Sequence, residues 1–279
     1  MWSDKASVTY RSNLVNEPLL DHSWEPELAG TGRGNTVNVF GFTQNNAARS
    51  RTSTNFGTGA AVTFDANTEG QTQIVVNRWY YKAYRFPVEL EPQFTPSYLG
   101  RLTDGAGKAV ALQEDADIAS DSTNGYAAFV PSVGTDNVDI VLVDLLTHQT
   151  NLDNANADKT DRFLVVSPAS LMSMLQIEEI RNSLYGKSIG NLDAGNKTAG
   201  YQGQVLNFGV YESNNLAAGT AGKKNAAFQR EAIAYIGQIK LAMKSILDIV
   251  NGTFMEYITY KTCGFKIMKT TFGDLALGK

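Results

Sequence analysis

The sequence predicts an α+β fold, and three stretches of the chain carry this prediction. The apolar run 163–166 stops at Ser167 and Pro168. This is typical of a buried strand that leads directly into a helix, because proline fits the first helical turn. Short apolar runs around glycines in residues 201–216 are typical of short strands joined by tight turns. In residues 92–119, apolar residues recur every three or four positions, which predicts a long helix with one apolar face.

Composition limits the classes of protein that the chain can belong to. With 279 residues, 43% hydrophobic and 19% charged, the chain is long enough for one large or two modest domains. The net charge of −4 argues against a protein that binds nucleic acid tightly. The single Cys263 excludes a disulfide framework within one chain, and we expect it to be a buried small hydrophobe. Neither a signal peptide nor a membrane span is indicated, so we expect folding in the cytoplasm and no membrane partner.

Residue patterns typical of enzymes are weak in this sequence. His22 and His148 are far apart and do not form a His-Glu-x-x-His arrangement, so we expect no histidine metal centre. Nucleophile-elbow and phosphate-loop patterns do not occur. Glu114, Asp115 and Asp117 form an acidic cluster at the far end of the predicted long helix, and a solvated helix end is favoured over a metal or catalytic site. We therefore expect no enzymatic activity and no cofactor.

Three motifs occur in a fixed order in the second half of the chain. They are Arg-Phe-Leu-Val-Val-Ser-Pro at 162–168, Gly-Val-Tyr-Glu-Ser-Asn-Asn-Leu at 209–216 and Ala-Phe-Gln-Arg-Glu-Ala-Ile at 227–233. In this order and spacing they resemble the C-terminal half of a tailed-bacteriophage major capsid protein, a fold shared with encapsulin nanocompartment shells. The resemblance implies an N-terminal arm, an extended β-hairpin loop, a peripheral domain with a long spine helix and a sheet, and an axial domain with a central sheet and flanking helices.

The resemblance also implies a division of the chain into domains. Residues 1–34 would be the arm and residues 35–86 the extended loop. Residues 87–130 together with 240–279 would form the peripheral domain, and residues 131–239 the axial domain, which in the resembled family meets its copies at the five-fold and six-fold axes.

The first 34 residues are polar and carry scattered large apolar side chains. A segment that cannot bury its own apolar residues either stays solvated or lies on another surface. We expect an arm that lies across a neighbouring subunit, with Trp2, Tyr10 and Trp24 as contact residues. Docking onto the core of its own subunit is the alternative.

Residues 36–42 predict a strand, and residues 71–81 predict its returning partner, which continues to Phe86 with aromatic residues packed on a helix. About thirty polar residues separate the two strands, which is too long for a hairpin inside a core. We expect a two-stranded protrusion that reaches over the next subunit. Arg49 and Arg51 would contact acidic groups there, or else be solvated arginines.

The remaining elements are predicted from periodicity. Gly105 and Gly107 weaken the long helix by about 1 kcal/mol each relative to alanine, which puts its continuity in doubt. Residues 136–148 predict a helix capped by Asp136 or Asn137. At the C-terminus, 253–261 and 264–271 predict a pair of strands, whereas 238–250 suits either a helix or a strand.

Together, these features predict a major capsid protein that assembles into pentamers and hexamers of an icosahedral head enclosing double-stranded DNA. The expected partners are a scaffolding protein, a portal, a decoration protein, and packaged DNA contacted without sequence specificity. The expected location is the virion, after assembly in the host cytoplasm. The alternatives are an encapsulin-type shell, a soluble enzyme that uses the carboxylates near Glu114, and a monomeric decoration or tail protein.

Overall fold

The computed structural model describes residues 2–28, 34–42, 69–88, 96–181, 199–248 and 253–279. The helices in these ranges are α1 (Trp2–Asn13), α2 (Glu25–Leu28), α3 (Pro96–Ser120), α4 (Leu142–Asn154), α5 (Pro168–Gln176) and α6 (Glu178–Arg181). The strands are β1 (Thr36–Phe42), β2 (Glu69–Val75), β3 (Arg78–Pro87), β4 (Ser132–Gly134), β5 (Arg162–Val166), β6 (Tyr201–Val205), β7 (Phe208–Glu212), β8 (Lys223–Gln229), β9 (Ile233–Asp248), β10 (Phe254–Ile267) and β11 (Gly273–Gly278). Across the described part of the chain, no helix is both long and apolar enough to cross a bilayer.

A six-stranded mixed sheet with the order β4-β11-β8-β5-β7-β6 contains β5, which is buried at every position. In β5, Phe163 and Val165 belong to the core shared with α3, whereas Leu164 and Val166 belong to the core beneath α4 and α5. Because both faces of the sheet are covered, its central strand is apolar at every position after Arg162, which explains the uninterrupted run in the sequence.

The junction that follows β5 confirms the predicted strand-to-helix turn. The Ser167 hydroxyl oxygen accepts a hydrogen bond from the backbone N–H of Ser170 at 3.1 Å, and Pro168 occupies the first helical position. The predicted hairpin of β6 and β7 is also present. Its two loop residues, Leu206 and Asn207, have φ angles of +47° and +68°, as expected for a turn that follows the twist of paired strands.

Strands β3, β10 and β9 form a separate antiparallel sheet in that order. The ambiguous residues 238–250 are strand as far as Asp248. The predicted pair of C-terminal strands was wrong, because β10 runs without interruption from Phe254 to Ile267. Gly264 is not a turn residue: a Cβ there would overlap the backbone of Val75, so the glycine permits β2 to approach β10 closely.

Strands β1 and β2 pair antiparallel, which confirms the predicted returning partner. After β2 the chain leaves this two-stranded sheet, and β3 belongs to the three-stranded sheet instead of continuing β2. Within β3, Tyr80 is buried towards α3, whereas Trp79 and Tyr81 are 58% and 59% exposed on the opposite side. The expected packing of this aromatic stretch on a helix therefore holds for alternate residues only. Residues 43–68, with Arg49 and Arg51, lie outside the described residues.

Helix α3 is continuous through both glycines over 25 residues. At Gly105 an added Cβ would have the Tyr84 hydroxyl as its neighbour at 3.7 Å, an ordinary contact distance. At Gly107 it would lie only 2.6 Å from the backbone oxygen of Ala6 in α1. Gly107 therefore lets α1 lie directly against the backbone of α3.

The helix predicted at 136–148 begins later than expected, at Leu142. The Asp136 carboxylate accepts hydrogen bonds from the backbone N–H groups of residues 221–222, at 2.8 and 3.1 Å, so it fixes a loop instead of capping the helix. Asn137 has a φ of +60°, outside the helical region. The first turn of α4 is held instead by Asp144, whose carboxylate accepts a hydrogen bond from the Val141 backbone N–H.

The N-terminal segment, defined here as residues 2–28, packs on its own subunit. Tyr10, Leu14, Leu19 and Leu20 are buried in the same core as α3. The expectation of an arm across a neighbour is therefore corrected for this segment: its apolar side chains have partners within the chain, as in the alternative that we considered.

The division into domains stays a prediction, and the sheet topology differs from it at one point. Strand β11 was expected in the peripheral domain with residues 240–279. Instead it pairs with β4 and β8 in the six-stranded sheet, so the C-terminal stretch contributes to both sheets.

Replacing Gly107 with alanine should destabilise the protein, because the added methyl group displaces α1 from its seat on α3. Gly105→Ala is the matched control. It adds the same methyl group where space exists and should be neutral or stabilising by up to about 1 kcal/mol through higher helix propensity. Urea denaturation of both variants measures the difference. Equal stability changes would contradict the close approach of the two helices.

Candidate functional site

The most concentrated group of charged side chains surrounds a buried lysine. The Lys261 Nζ atom lies 2.9 and 3.1 Å from the two carboxylate oxygens of Glu114, and 3.2 Å from Oε1 of Glu17. The Glu114 side chain is completely buried and that of Lys261 nearly so. A buried ion pair needs additional hydrogen bonds to offset the loss of hydration, and these are present.

Two tyrosines complete this cluster, which we call the Lys261 cluster: Tyr10, Glu17, Glu114, Tyr235 and Lys261. Each tyrosine hydroxyl donates to a different Glu114 oxygen, that of Tyr235 at 2.5 Å. The ammonium also donates to the Tyr10 hydroxyl and lies 4.7 and 5.2 Å from the centroids of the two aromatic rings, within the range of cation–π attraction. The cluster thus connects the N-terminal segment, α3, β9 and β10.

The protonation states follow from burial and from the neighbouring charges. Burial works to lower the pKa of Lys261, but the Glu114 and Glu17 carboxylates together outweigh it, so its pKa lies above the ordinary value. Burial, reinforced by Glu114 and Glu17, raises the pKa of Tyr10, which keeps its hydroxyl protonated as a donor. Burial also raises the pKa of Glu17, although Lys261 opposes this shift.

Asp115 lies beside this cluster and holds the chain that leaves α1. Its two carboxylate oxygens accept hydrogen bonds from the backbone N–H groups of Val15 and Asn16, at 2.9 and 3.0 Å. The Asn16 side chain in turn donates to the Asp115 backbone oxygen at 3.0 Å. Burial raises the pKa of Asp115 to about 7, because the two backbone donors only partly compensate for its lost hydration.

The expectation of a solvated acidic helix end was therefore wrong for Glu114 and Asp115, which are both fully buried. They lie one turn beyond Val110 and Ala111, on the face of α3 that packs on the core. This four-residue spacing was visible in the sequence and could have placed them inside. Asp117 is half-buried: it accepts a hydrogen bond from Gln113 at 2.9 Å and pairs with Arg78 of β3 at 3.6 Å.

The remaining candidate groups for chemistry are separate from one another. Cys263 is buried, and burial raises the pKa of its thiol to about 12, so it is an inert thiol. His148 lies in α4, with its Nδ1 3.2 Å from a carboxylate oxygen of Asp274, whereas His22 contacts the Tyr235 ring. Among the residues that the structure describes, no three His, Cys, Asp or Glu side chains are grouped to hold a metal ion.

One face of the three-stranded sheet packs on α3. On the opposite face, β1 and β2 cover the end of the sheet around Ala234 and Ile236 of β9 and Gly264 of β10. The rest of that face, which we call the outer sheet face, is open among the described residues. Its apolar residues are Trp79, Tyr81, Ile239, Ile246, Ile258 and Tyr260.

Large exposed side chains dominate the outer sheet face: Ile246 is 60% exposed, and the rings of Trp79 and Tyr81 lie 5.1 Å apart. Charges lie beside them, including Arg85, which pairs with Asp248 and Glu256 at 2.9 and 3.2 Å. An exposed aromatic and aliphatic patch with a charged margin is typical of a protein–protein interface.

The contact residues that the sequence suggested lie in different environments in the structure. Tyr10 is 5% exposed within its own subunit, so its predicted contact with a neighbour is corrected. Trp24 is half-buried and packs against the core formed by β1, β2 and β9. Trp2 is the first residue of α1. Intersubunit contacts of Trp2, Trp24, Arg49 and Arg51 stay predictions.

Solved structures with the same fold come from several particles. The chain aligns with a structure of Mycobacterium phage Che8 with a TM-score of 0.66 and 17% identity, covering 92% of this chain and 89% of that one. It aligns with the capsid of cyanophage P-SCSP1u with a TM-score of 0.61 and 14% identity, over 94% and 86% of the two chains. It also aligns with a virus-like particle from Pyrococcus furiosus with a TM-score of 0.58 and 9% identity, over 98% of this chain and 96% of that one.

These alignments cover nearly the whole of each chain and confirm the tailed-phage capsid fold. No curated protein sequence matches this chain. A family model described as phage capsid protein matches residues 93–262, which is more than half of the sequence. The chain belongs to the phage capsid protein family.

Replacing Lys261 with methionine should destabilise the subunit by about 3–5 kcal/mol, because the variant leaves Glu114 buried without a cation. The double variant with Glu114→Gln should recover part of this loss. Lys244→Met, an exposed position on the outer sheet face of β9, controls for the loss of one positive charge. Thermal unfolding measures all three, and a Lys261 variant as stable as the Lys244 control would contradict the structural role of the cluster.

Proposed function

We propose that this chain is a major capsid protein, the structural subunit that assembles into pentamers and hexamers of an icosahedral phage head around double-stranded DNA. The observation that supports this most directly is the family match over residues 93–262, together with fold alignments that span nearly the whole chain. The comparison proteins are phage structures and particles, which supports a subunit that works through repeated contacts with its own copies.

The outer sheet face gives this proposal a physical basis. Trp79, Tyr81 and Ile246 would each lose most of their hydration in an assembly and contribute about 25 cal/mol for every Å² of apolar surface that is covered. Aromatic side chains contribute most of the binding energy in many interfaces. Exposing such a face to water raises the free energy of an isolated subunit, whereas burying it between subunits lowers the free energy of an assembly.

The buried carboxylates count against the alternative of a soluble enzyme. A general acid or base has to reach its substrate within hydrogen-bond distance. Glu114 is fully buried, and its oxygens are occupied by Lys261, Tyr10 and Tyr235. The cluster therefore has a structural task, and we propose that the protein has no catalytic activity.

The further partners are proposals that follow from a head assembled around DNA. They are a scaffolding protein and a portal during assembly in the host cytoplasm, a decoration protein on the finished particle, and packaged DNA touched without sequence specificity. The net charge of −4 fits a lining from which packaged DNA must slide freely.

An encapsulin-type shell is the second candidate. The alignment covers 96% of the chain of the Pyrococcus furiosus virus-like particle, so the fold of that particle's subunit is shared nearly throughout. The two candidates differ in their contents, because a phage head contains DNA and a nanocompartment contains a protein cargo.

Negative-stain electron microscopy of the purified protein, expressed alone and with its neighbouring genes, tests the proposal. We expect closed particles tens of nanometres across. Nuclease-resistant DNA inside particles isolated from infected cells would support the phage head over the nanocompartment. Discrete monomers or small oligomers under every condition would contradict both shell candidates.

Replacing Arg49 and Arg51 with glutamate should leave the subunit folded and soluble but impair closure of the lattice, because both arginines are predicted to contact acidic groups of a neighbour. Circular dichroism monitors folding, and particle yield after sedimentation measures assembly. The same charge change at the exposed Lys108 and Lys159 serves as a control. Equal losses in both pairs would indicate a general effect of net charge and count against a specific contact.

A further inference from the structure

The two larger sheets end in four edge strands, and three of these edges are short or carry protective residues. In the six-stranded sheet, β4 has three residues, and β6 has five residues with an irregular register. In the three-stranded sheet, β3 carries Arg78, Lys82 and Arg85 and ends at Pro87. Short strands, positive side chains and proline are features that keep a sheet edge from pairing with another chain.

Strand β9 is the fourth edge, and only its beginning is covered. There the chain at Asp21 pairs with it: the Asp21 N–H donates to the Ile233 backbone oxygen at 3.0 Å, and the Tyr235 N–H donates to that of Asp21 at 2.8 Å. From Gly237 to Asp248, β9 has β10 as its one neighbouring strand among the described residues. Alternate backbone N–H and C=O groups along this part of the edge therefore lack a strand partner.

The far end of this edge exposes apolar side chains on both faces of the sheet. Residues 244–247 are all exposed. Ile246 lies on the outer sheet face and is 60% exposed, whereas Leu247 lies on the face towards α3 and is 46% exposed. Because alternate residues of a strand point to opposite faces, neither face is fully covered here. A long edge strand with exposed apolar side chains is a site at which another strand can pair.

Charges along the edge indicate which strand fits it. Two residues before Ile246, Lys244 forms no ion pair within the part of the chain that the structure describes, and its ammonium lies 5.8 Å from the centroid of the Tyr260 ring. Two residues after Ile246, Asp248 lies 2.9 Å from Arg85, which also pairs with Glu256 at 3.2 Å. One guanidinium thus serves two carboxylates. The edge is therefore positive on one side of Ile246 and negative on the other.

This order of charges is complementary to itself when two copies of the strand pair antiparallel. With Ile246 opposite Ile246 of a second copy, Lys244 lies directly opposite the Asp248 of that copy, and symmetry supplies the same pair again. Directly opposite side chains on one face have Cβ atoms about 4.5–5.5 Å apart, so opposite charges there attract. Sliding one copy by two residues in either direction separates both ion pairs.

We propose that residues 244–248 of β9 pair antiparallel with the same residues of a second copy, across a two-fold axis at Ile246. Such an interface is isologous, because both copies use the same surface. The two three-stranded sheets then form one continuous sheet with both outer sheet faces on the same side. The proposal rests on the proposed function only in that copies of the chain meet, and it names one contact through which they do so.

Disulfide trapping in the full chain tests the proposal. The native Cys263 is buried, so Ile246→Cys introduces an accessible thiol. Opposite residues of antiparallel strands have Cα atoms about 4.5–5.5 Å apart, within the range of a disulfide. We expect Ile246→Cys to form a disulfide-linked dimer when the concentrated or assembled protein is mildly oxidised, as measured by non-reducing electrophoresis and intact mass.

Lys244→Cys is the matched control for this experiment. In the proposed register the two copies of residue 244 lie four positions apart along the strands, about 13 Å, which is too far for a disulfide. This variant should therefore not cross-link to itself. A lack of dimer from Ile246→Cys, or equal amounts of dimer from both variants, would overturn the proposal.

Charge reversal tests the register further. In the Ile246→Cys background, Lys244→Glu or Asp248→Lys should each lower the dimer yield about ten-fold, because two cross-strand pairs become repulsive at once. A mixture of the two variants restores opposite charges in both pairs and should return to the parent yield. Lys108→Glu, at an exposed position on α3, makes the same change in net charge as Lys244→Glu and should leave the yield unchanged. A mixture that does not recover would overturn the register.

Electron microscopy of the same samples separates this proposal from the capsid assignment. Well-formed particles without the disulfide at position 246 would overturn the β9 contact and leave the capsid assignment intact. Disulfide-linked dimers in a protein that never forms particles would support the β9 contact and count against the shell.

Discussion

The structure depends on one constraint, which is that the ammonium group of Lys261 is held inside the protein and has to be neutralised there. Its partners come from α1, the chain just after α1, α3 and β9, so parts of the chain that are far apart in sequence must meet at one point. A buried ionic network stabilises only when every member has a partner. This requirement specifies one position for α1 on α3, which apolar contacts alone would leave less defined.

The two faces of the three-stranded sheet differ in their packing. The face towards α3 is buried inside the subunit against the Lys261 cluster and the apolar residues of the helix. The opposite face keeps Trp79 and Tyr81 in water. A chain that buries one face of a sheet inside the subunit, while leaving an aromatic surface exposed on the opposite face, is suited to a subunit whose final environment includes other chains.

Local signals in the sequence predicted the elements that depend on local chemistry. The turn at Ser167 and Pro168, the β6–β7 hairpin and the continuous strand β5 all follow from capping, turn geometry and burial on both sides. The sequence did not predict that β3 pairs with β10 instead of continuing β2, because that pairing depends on partners far away in the sequence. It also misplaced Glu114 and Asp115, since a carboxylate is normally a surface group and its buried partners lie about a hundred residues away. The role of the glycines was hard to predict for a similar reason. Gly107 and Gly264 do not form turns; each lets another segment of the chain lie close to its backbone.

Strand β9 begins deep in the core and ends in solvent. Its first four residues, from Ile233 to Ile236, are fully buried, whereas Ile246 and Leu247 near its far end are largely exposed. At that far end α3 still packs on one face, where Leu102 and Ala106 lie beside Met243 and Tyr257. A strand that is buried on both faces at its start and on one face near its tip has fewer side-chain contacts to lose at the tip, so we expect bending of this sheet to concentrate there.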